Sequence, residues 1–260
     1  MIHGSGWSQK VFAKQFDSVL AGTWRLLALD LPGHGASDDA QDPQASYSIT
    51  GFAECIEDVI DQFGLPRLAL FGWSLGGHLA IEVASRSDRV AGLMVTGAPP
   101  VPPGFIGMLR GFHPSFDMLL ASKQNFSQRD RDRFTHLSFG KIADPAFAEM
   151  ILRTDGRVRT RFSQSMMRGE GADQRRTVEQ ASVPVAFVNG EDDPFVRASY
   201  LSSLDVPLLY GEKPLIVEGA GHAPFWEKPT EFNALLDGFL QMVTANEDGA
   251  SRSARHSLRG

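Results

Sequence analysis

The 260-residue chain has one cysteine, no excess of basic residues and no long apolar run, and each shortage removes a class of explanation. A lone Cys55 cannot close an internal disulfide, and its place on the apolar face of a predicted helix reads as a buried thiol in a reducing compartment, the cytoplasm. Lys and Arg number 25 against 31 Asp and Glu, giving a net charge of −6. That balance argues against a nucleic-acid partner, which needs a concentrated basic face. No stretch reads as a membrane span, so no membrane partner is expected. The seven histidines are scattered without metal-ligand spacing, so neither a metal site nor a cofactor is implied. Nothing in the sequence fixes an oligomeric state.

What is present suffices for one large core, since 42% of the residues are hydrophobic and a chain of this length can bury them and still carry an insertion. Apolar runs at Trp24–Leu29, Leu68–Phe71, Val90–Val95, Val183–Val188 and Pro214–Val217 read as strands. Between them, Phe52, Cys55, Ile56, Val59, Ile60 and Phe63 fall at helical spacing. A second helix follows at Gly77–Ser85, and a last one opens at Pro229 with Phe232, Leu235, Leu236, Phe239 and Leu240 on its face. The βα alternation predicts an α/β fold, a mostly parallel sheet with right-handed crossovers and helices on both faces. The rhythm breaks between the Pro99–Pro103 run and Pro184. We therefore expect core segments at 1–100 and 183–243, a helical lid at 101–182, and a disordered tail at 244–260, where apolar side chains are almost absent.

The chemistry concentrates at Gly72-Trp73-Ser74-Leu75-Gly76, which follows a short apolar strand and precedes a helix. This is the nucleophile-elbow pattern, in which small neighbours tolerate a tight strand-to-helix turn and expose the serine hydroxyl. A glycine-rich turn with a capping serine would share the letters but not require that context. In chains with this elbow an acid and then a histidine follow in order. Glu191, Asp192 and Asp193 lie just past a predicted strand, where open parallel sheets place their sites. Asp193, three residues beyond Gly190, is the expected acid, with Glu191 and Asp192 capping or solvating the turn. His222 sits in the glycine-rich loop after the next strand rather than on an apolar helix face, so it is the expected base. The backbone N–H of Leu75, at the start of the elbow helix, is suited to hold an oxyanion.

With His3-Gly4, Asp30-Leu-Pro-Gly-His-Gly-Ala-Ser37, the Ser74 elbow, Gly190-Glu-Asp-Asp193 and Gly221-His-Ala-Pro-Phe225, the chain resembles the α/β-hydrolase fold family from residue 2 to about 243. Asp42–Ser48, Gly72–His78, Arg153–Arg157, Asn189-Gly190 and Pro194–Val196 are similar to the α/β-hydrolase-type N-acyl-homoserine lactonases. In that subgroup the acid can be glutamate, where this chain has Asp193. The resemblance implies that the His3–Gly6 loop supplies the second oxyanion donor, the N–H of Ser5. It also implies a β-hairpin and a longer strand ahead of His3, which are missing here. The start at Met1 is therefore read as an internal start codon or a fragment, leaving any upstream targeting signal unread. The His-x-His-x-Asp-His pattern of metal-dependent lactonases is absent.

These readings converge on a serine hydrolase for a small ester or lactone with an apolar acyl chain, first of all an N-acyl-homoserine lactone. A general carboxylesterase, a carbon–carbon-bond hydrolase, and a ligand-binding receptor or inactive homologue on the same scaffold stand as alternatives. The insertion is rich in Phe and Met, which suits an adaptable acyl pocket as well as ordinary helix packing. Phe116, Met118, Phe134 and Phe139 are the expected contacts, and Trp73 either walls the pocket or packs beneath it. His34, His78 and Asp30 read as loop braces, and Arg129–Arg133 as a solvated helix face.

Overall fold

The computed structural model describes residues 1–257, with the side chains of Phe116 and of residues 248–257 outside the description. Four strands, β1 (Leu68–Trp73), β2 (Val90–Thr96), β3 (Val185–Gly190) and β4 (Leu215–Val217), form one parallel sheet in the order β1-β2-β3-β4. Trp73 pairs with Thr96, Val95 with Phe187 and Gly190 with Val217, so the C-terminal ends line up along one edge. All residues of β2 and β3 are buried, as continuous apolar strands covered on both faces must be. Successive side chains go to opposite faces. Leu93, Val95, Val185 and Phe187 join one core cluster, and Met94, Ala186 and Val188 the other.

The helix Ile49–Gln62 is capped by Ser48, whose hydroxyl accepts from the Gly51 N–H, and buries Ile49, Phe52, Ile56 and Ile60. Cys55 is only half-buried there, less covered than expected. The elbow helix, Leu75–Ala84, is buried over Leu75–Val83, being wedged between the sheet and its neighbours.

Two expectations need correction. Trp24–Leu29 forms no strand, and only Leu29 bridges, to Ile2. A ladder needs a partner along its length, and this run has the single bridge to Ile2 and the Met1 amino group donating to Leu27 O at 2.6 Å. The final helix runs Pro229–Ser257 instead of ending near Val243. Once anchored by Phe232, Leu236, Phe239 and Val243, a helix gains one hydrogen bond for each residue added, and Glu247 pairs with Arg67 at 2.6 Å.

Between β2 and β3 the chain forms helices at Phe105–Gly111, Gln128–Phe139, Phe147–Arg153, Arg157–Arg168 and Gln174–Glu179. Two motifs that looked separate in sequence meet here. The Tyr47 hydroxyl donates to Asp155 at 2.7 Å, and the Asp155 N–H donates to Gly33 O at 2.9 Å. Arg153 pairs with Asp39 at 2.9 Å. The insertion is thereby tied to the loop after Asp30.

Candidate active site

Ser74 sits where β1 turns into the elbow helix, with φ 55° and ψ −123°, a strained conformation for a residue with a side chain. The turn is enforced by close approach: a Cβ on Gly72 would lie 2.2 Å from Gly76 O, and one on Gly76 would lie 2.2 Å from Ile2 O. The Ser74 N–H donates to Thr96 O at 2.8 Å, which fixes the serine to the end of β2.

His222 and Asp193 meet from the ends of β4 and β3. The His222 Nδ1–H donates to Asp193 Oδ2 at 2.9 Å, because a carboxylate can only accept. In the neutral ring the proton is thus on Nδ1, and Nε2 carries a lone pair. Asp193 Oδ1 accepts from the N–H groups of Phe195 (2.8 Å) and Val196 (3.2 Å). Burial alone would raise this carboxyl, but His222 and the hydrogen bonds outweigh it and hold Asp193 below its ordinary value. The His222 ring rests on Gly97, where a Cβ would come within 2.6 Å of Cε1. Phe195 packs edge-on against it at 4.8 Å, and the His222 carbonyl accepts from Trp73 Nε1 at 2.8 Å.

The His3–Gly6 loop passes directly over the elbow. A Cβ on Gly4 would stand 3.1 Å from Ser74 Cβ. Two histidines hold this loop. Leu31 N–H donates to His3 Nε2 (3.1 Å), so His3 Nδ1 donates to Gly4 O (2.8 Å). Gly6 N–H donates to His34 Nε2 (3.2 Å), and His34 Nδ1 donates to Pro32 O (3.1 Å). Both rings must be neutral for these roles. Burial lowers His3 to about 4 and takes His34 well below its ordinary value. The amides of Ser5 and Leu75 make no hydrogen bond among the described residues. The Ser5 hydroxyl is buried without a partner.

Ser5, Ser74, Leu75 and His222 line a cavity of about 520 Å³ whose other walls come largely from the insertion: Phe105, Met108, Leu109, Phe112, Met118, Leu119, Phe134, Phe162, Met166 and Met167 among them. A hollow of about 1150 Å³ elsewhere is lined by charged and polar groups such as Arg67, Asp88, Arg176 and Glu247 and brings no serine–histidine pair together. The smaller cavity is the candidate site because apolar walls converge there on a few fixed polar groups.

The description "Alpha/beta hydrolase family" belongs to a family model that matches residues 1–235. The chain belongs to the alpha/beta hydrolase family. Within it, the chain is 40% identical to N-acyl homoserine lactonase AidH, solved as a mutant bound to N-hexanoyl homoserine lactone, with TM-score 0.91 over 94% of this chain and 90% of that one. It is 28% identical to a pimeloyl-[acyl-carrier protein] methyl ester esterase of Neisseria meningitidis, covering 96% of this chain and 78% of the esterase. It is 27% identical to a 2-hydroxy-6-oxononadienedioate/2-hydroxy-6-oxononatrienedioate hydrolase of Klebsiella pneumoniae, covering 92% and 85%.

Against this alpha/beta hydrolase frame, the expected pocket residues divide. Met118 and Phe134 line the cavity. Trp73 and Phe139 do not; both are fully buried behind it, with rings 5.2 Å apart, in a stack that includes Trp7 and Phe147. Large rings on a strand end and a helix C-terminus are drawn into the core that supports the site. The Phe116 side chain lies outside the described residues. His78 lines the cavity instead of merely bracing a loop. Asp30 braces its loop as expected, accepting from Gln9 and Ala36 N–H groups. Asp192 is exposed, and Glu191 accepts from Gly219 N–H at 3.0 Å. Glu227 was not anticipated. Its carboxylate accepts from Gly221 (3.0 Å) and Ala223 (3.4 Å) N–H groups on either side of His222, and burial raises it above its ordinary value. Asn189 was quoted only as part of a motif, yet it accepts from Gly97 N–H at 2.7 Å and so supports the floor beneath His222. The Asn189 contact has no local signal, because it joins segments far apart in sequence. Glu227 lies within six residues of both its partners, and a carboxylate so close to the His222 loop was the signal that could have found it.

Proposed function

We propose that the protein is a serine hydrolase that opens the ring of N-acyl homoserine lactones, with Ser74 as nucleophile, His222 as base and Asp193 as the group that orients it. His222 Nε2 takes the Ser74 proton as Oγ attacks the lactone carbonyl. The Ser5 and Leu75 amides hold the oxyanion, each such donor contributing about 3 kcal/mol. The ring C–O bond then breaks, and His222 returns the proton to the leaving alkoxide. Water, deprotonated by the same nitrogen, attacks the acyl-enzyme carbonyl; the bond to Ser74 Oγ then breaks, and His222 returns the proton to Oγ. Leaving group and acyl group stay on one molecule, so the product is the N-acyl homoserine.

The observation that supports this reading is the meeting of Ser74, the oriented His222 and the Ser5 and Leu75 amides on one largely apolar cavity of about 520 Å³. The similarity to AidH favours a lactone as the ester class, and the relation to a methyl ester esterase makes a general carboxylesterase the second reading. The test incubates the protein with a series of N-acyl homoserine lactones and matched open-chain esters and follows ring opening by mass. Turnover of lactones ahead of esters, unaffected by chelators, is expected. Efficient ester turnover with no lactone opened selects the esterase. Labelling of Ser74 by a fluorophosphonate separates either enzyme from a binding protein.

A further inference from the structure

An apolar cavity separates acyl chains weakly, by roughly 10- to 200-fold per methylene, so a preference for an amide-bearing lactone needs a polar group that reads the amide. The hydroxyls lining the cavity can either donate or accept. His78 cannot choose, and its place is fixed. It lies one turn along the elbow helix from Ser74, its N–H donating to Ser74 O at 3.3 Å. Ser74 itself stands outside the helix, with φ 55°, so it is the shared cavity, not a helical face, that brings the two side chains together. The ring is buried and lines the same cavity as Ser74.

Gln174, at the start of the Gln174–Glu179 helix, sets the ring's tautomer. Its Nε2 donates to the His78 carbonyl at 3.5 Å, which turns Oε1 toward His78 Nδ1 at 2.8 Å. A carbonyl oxygen only accepts, so Nδ1 carries the proton and Nε2 is left as a bare acceptor. Burial lowers His78 to about 4, which keeps the ring neutral near pH 7.

We propose that His78 Nε2 accepts the amide N–H of the substrate and is thereby the residue that selects N-acylated lactones over lactones lacking the amide. This rests on the lactonase reading. In an N-acyl homoserine lactone the nitrogen is on the carbon next to the attacked carbonyl, so its N–H lies two bonds from the atom that meets Ser74 Oγ. An acceptor one helical turn from the nucleophile is within reach of it. A lactone with an alkyl chain in place of the acylamino group offers no donor.

The experiment compares kcat/KM for N-hexanoyl homoserine lactone and for 2-hexyl-γ-butyrolactone in the wild type and in His78→Leu. The preference for the amide lactone should fall about 10- to 100-fold, the effect of losing one buried hydrogen bond. Equal losses on both substrates, or none, overturn the assignment while leaving the lactonase reading intact. Failure of the wild type to open either lactone refutes that reading itself. A second measurement needs no substitution at His78: in folded Ser74→Ala protein, the ¹⁵N resonance of the unprotonated His78 nitrogen should shift when N-hexanoyl homoserine lactone binds. It should not shift with 2-hexyl-γ-butyrolactone, and identical behaviour with both ligands overturns the proposal.

Discussion

On the core side of the cavity hydrogen bonds hold the loops in place: Asp193 accepts from His222, Phe195 and Val196, the His3 and His34 rings clamp the loop over Ser74, and Glu227 steadies the turn around His222. On the insertion side Phe105, Leu109, Leu119 and Met167 are 58%, 48%, 63% and 42% exposed, and the wall is held by packing and a few tethers. The difference fits the proposed function. Bond-making tolerates little displacement of reacting atoms, whereas chains of varying length are met by side chains that can repack.

The sharpest way to test the comparison is to strike the rigid side. Ser74→Ala should remove lactone and ester turnover by roughly 10⁴-fold or more, as for residues that act as a unit, with unchanged circular dichroism. Near-normal turnover in a folded variant would move the nucleophile elsewhere. Asp193→Asn comes next, with an expected loss on the order of 10³- to 10⁴-fold from a wrongly held tautomer. Asp192→Asn, one residue away and exposed, should change kcat/KM by less than about 3-fold. Equal losses in the two variants would assign the acid to another residue.

The tethers between the two sides should matter less. Tyr47→Phe removes the hydrogen bonds to Asp155 and from the Ala40 N–H. It should cost about 1–3 kcal/mol in urea unfolding, because one partner is a carboxylate. An unchanged midpoint would mean that the Tyr47 hydroxyl contributes nothing to holding the insertion.

Acid should loosen the loop clamp. His3 is lowered from 6.5 to about 4 by burial, so between these values the unfolded chain binds a proton that the folded chain excludes. Stability is present in full above pH 6.5 and is lost as pH falls, by roughly 1 kcal/mol per pH unit for each such histidine. Unfolding midpoints at pH 7, 6 and 5 should decline in that order, and a flat profile would contradict the neutral clamp. The smallest effect should come from the adaptable wall. Met118→Ala should shift relative kcat/KM along an acyl-length series by less than about 10-fold, leaving kcat for the shortest chain nearly unchanged.

The candidate site was legible in sequence wherever one short segment carried its own context. The elbow announces itself because Gly72, Ser74 and Gly76 must be adjacent for the turn to close, and Asp193 and His222 each follow a strand within a few residues. Trp73 shows the limit. Its neighbour is Ser74 of the elbow, but whether a strand-end ring faces a cavity or a core depends on what packs there, and Phe139, Phe225 and Trp7 claim it.

The sequence by itself determined the parallel α/β order, the elbow and the order of serine, acid and histidine, because strand and helix periodicity and turn chemistry are local properties of the chain. The tertiary structure decided what required distant segments to meet. It joined Tyr47 to Asp155, brought Asn189 beneath His222, left Trp24–Leu29 without a ladder, and turned His78 from a helix residue into part of the cavity wall. Hydrogen-bond satisfaction and burial are set by whichever groups folding brings within a few ångströms, and sequence spacing carries no record of that.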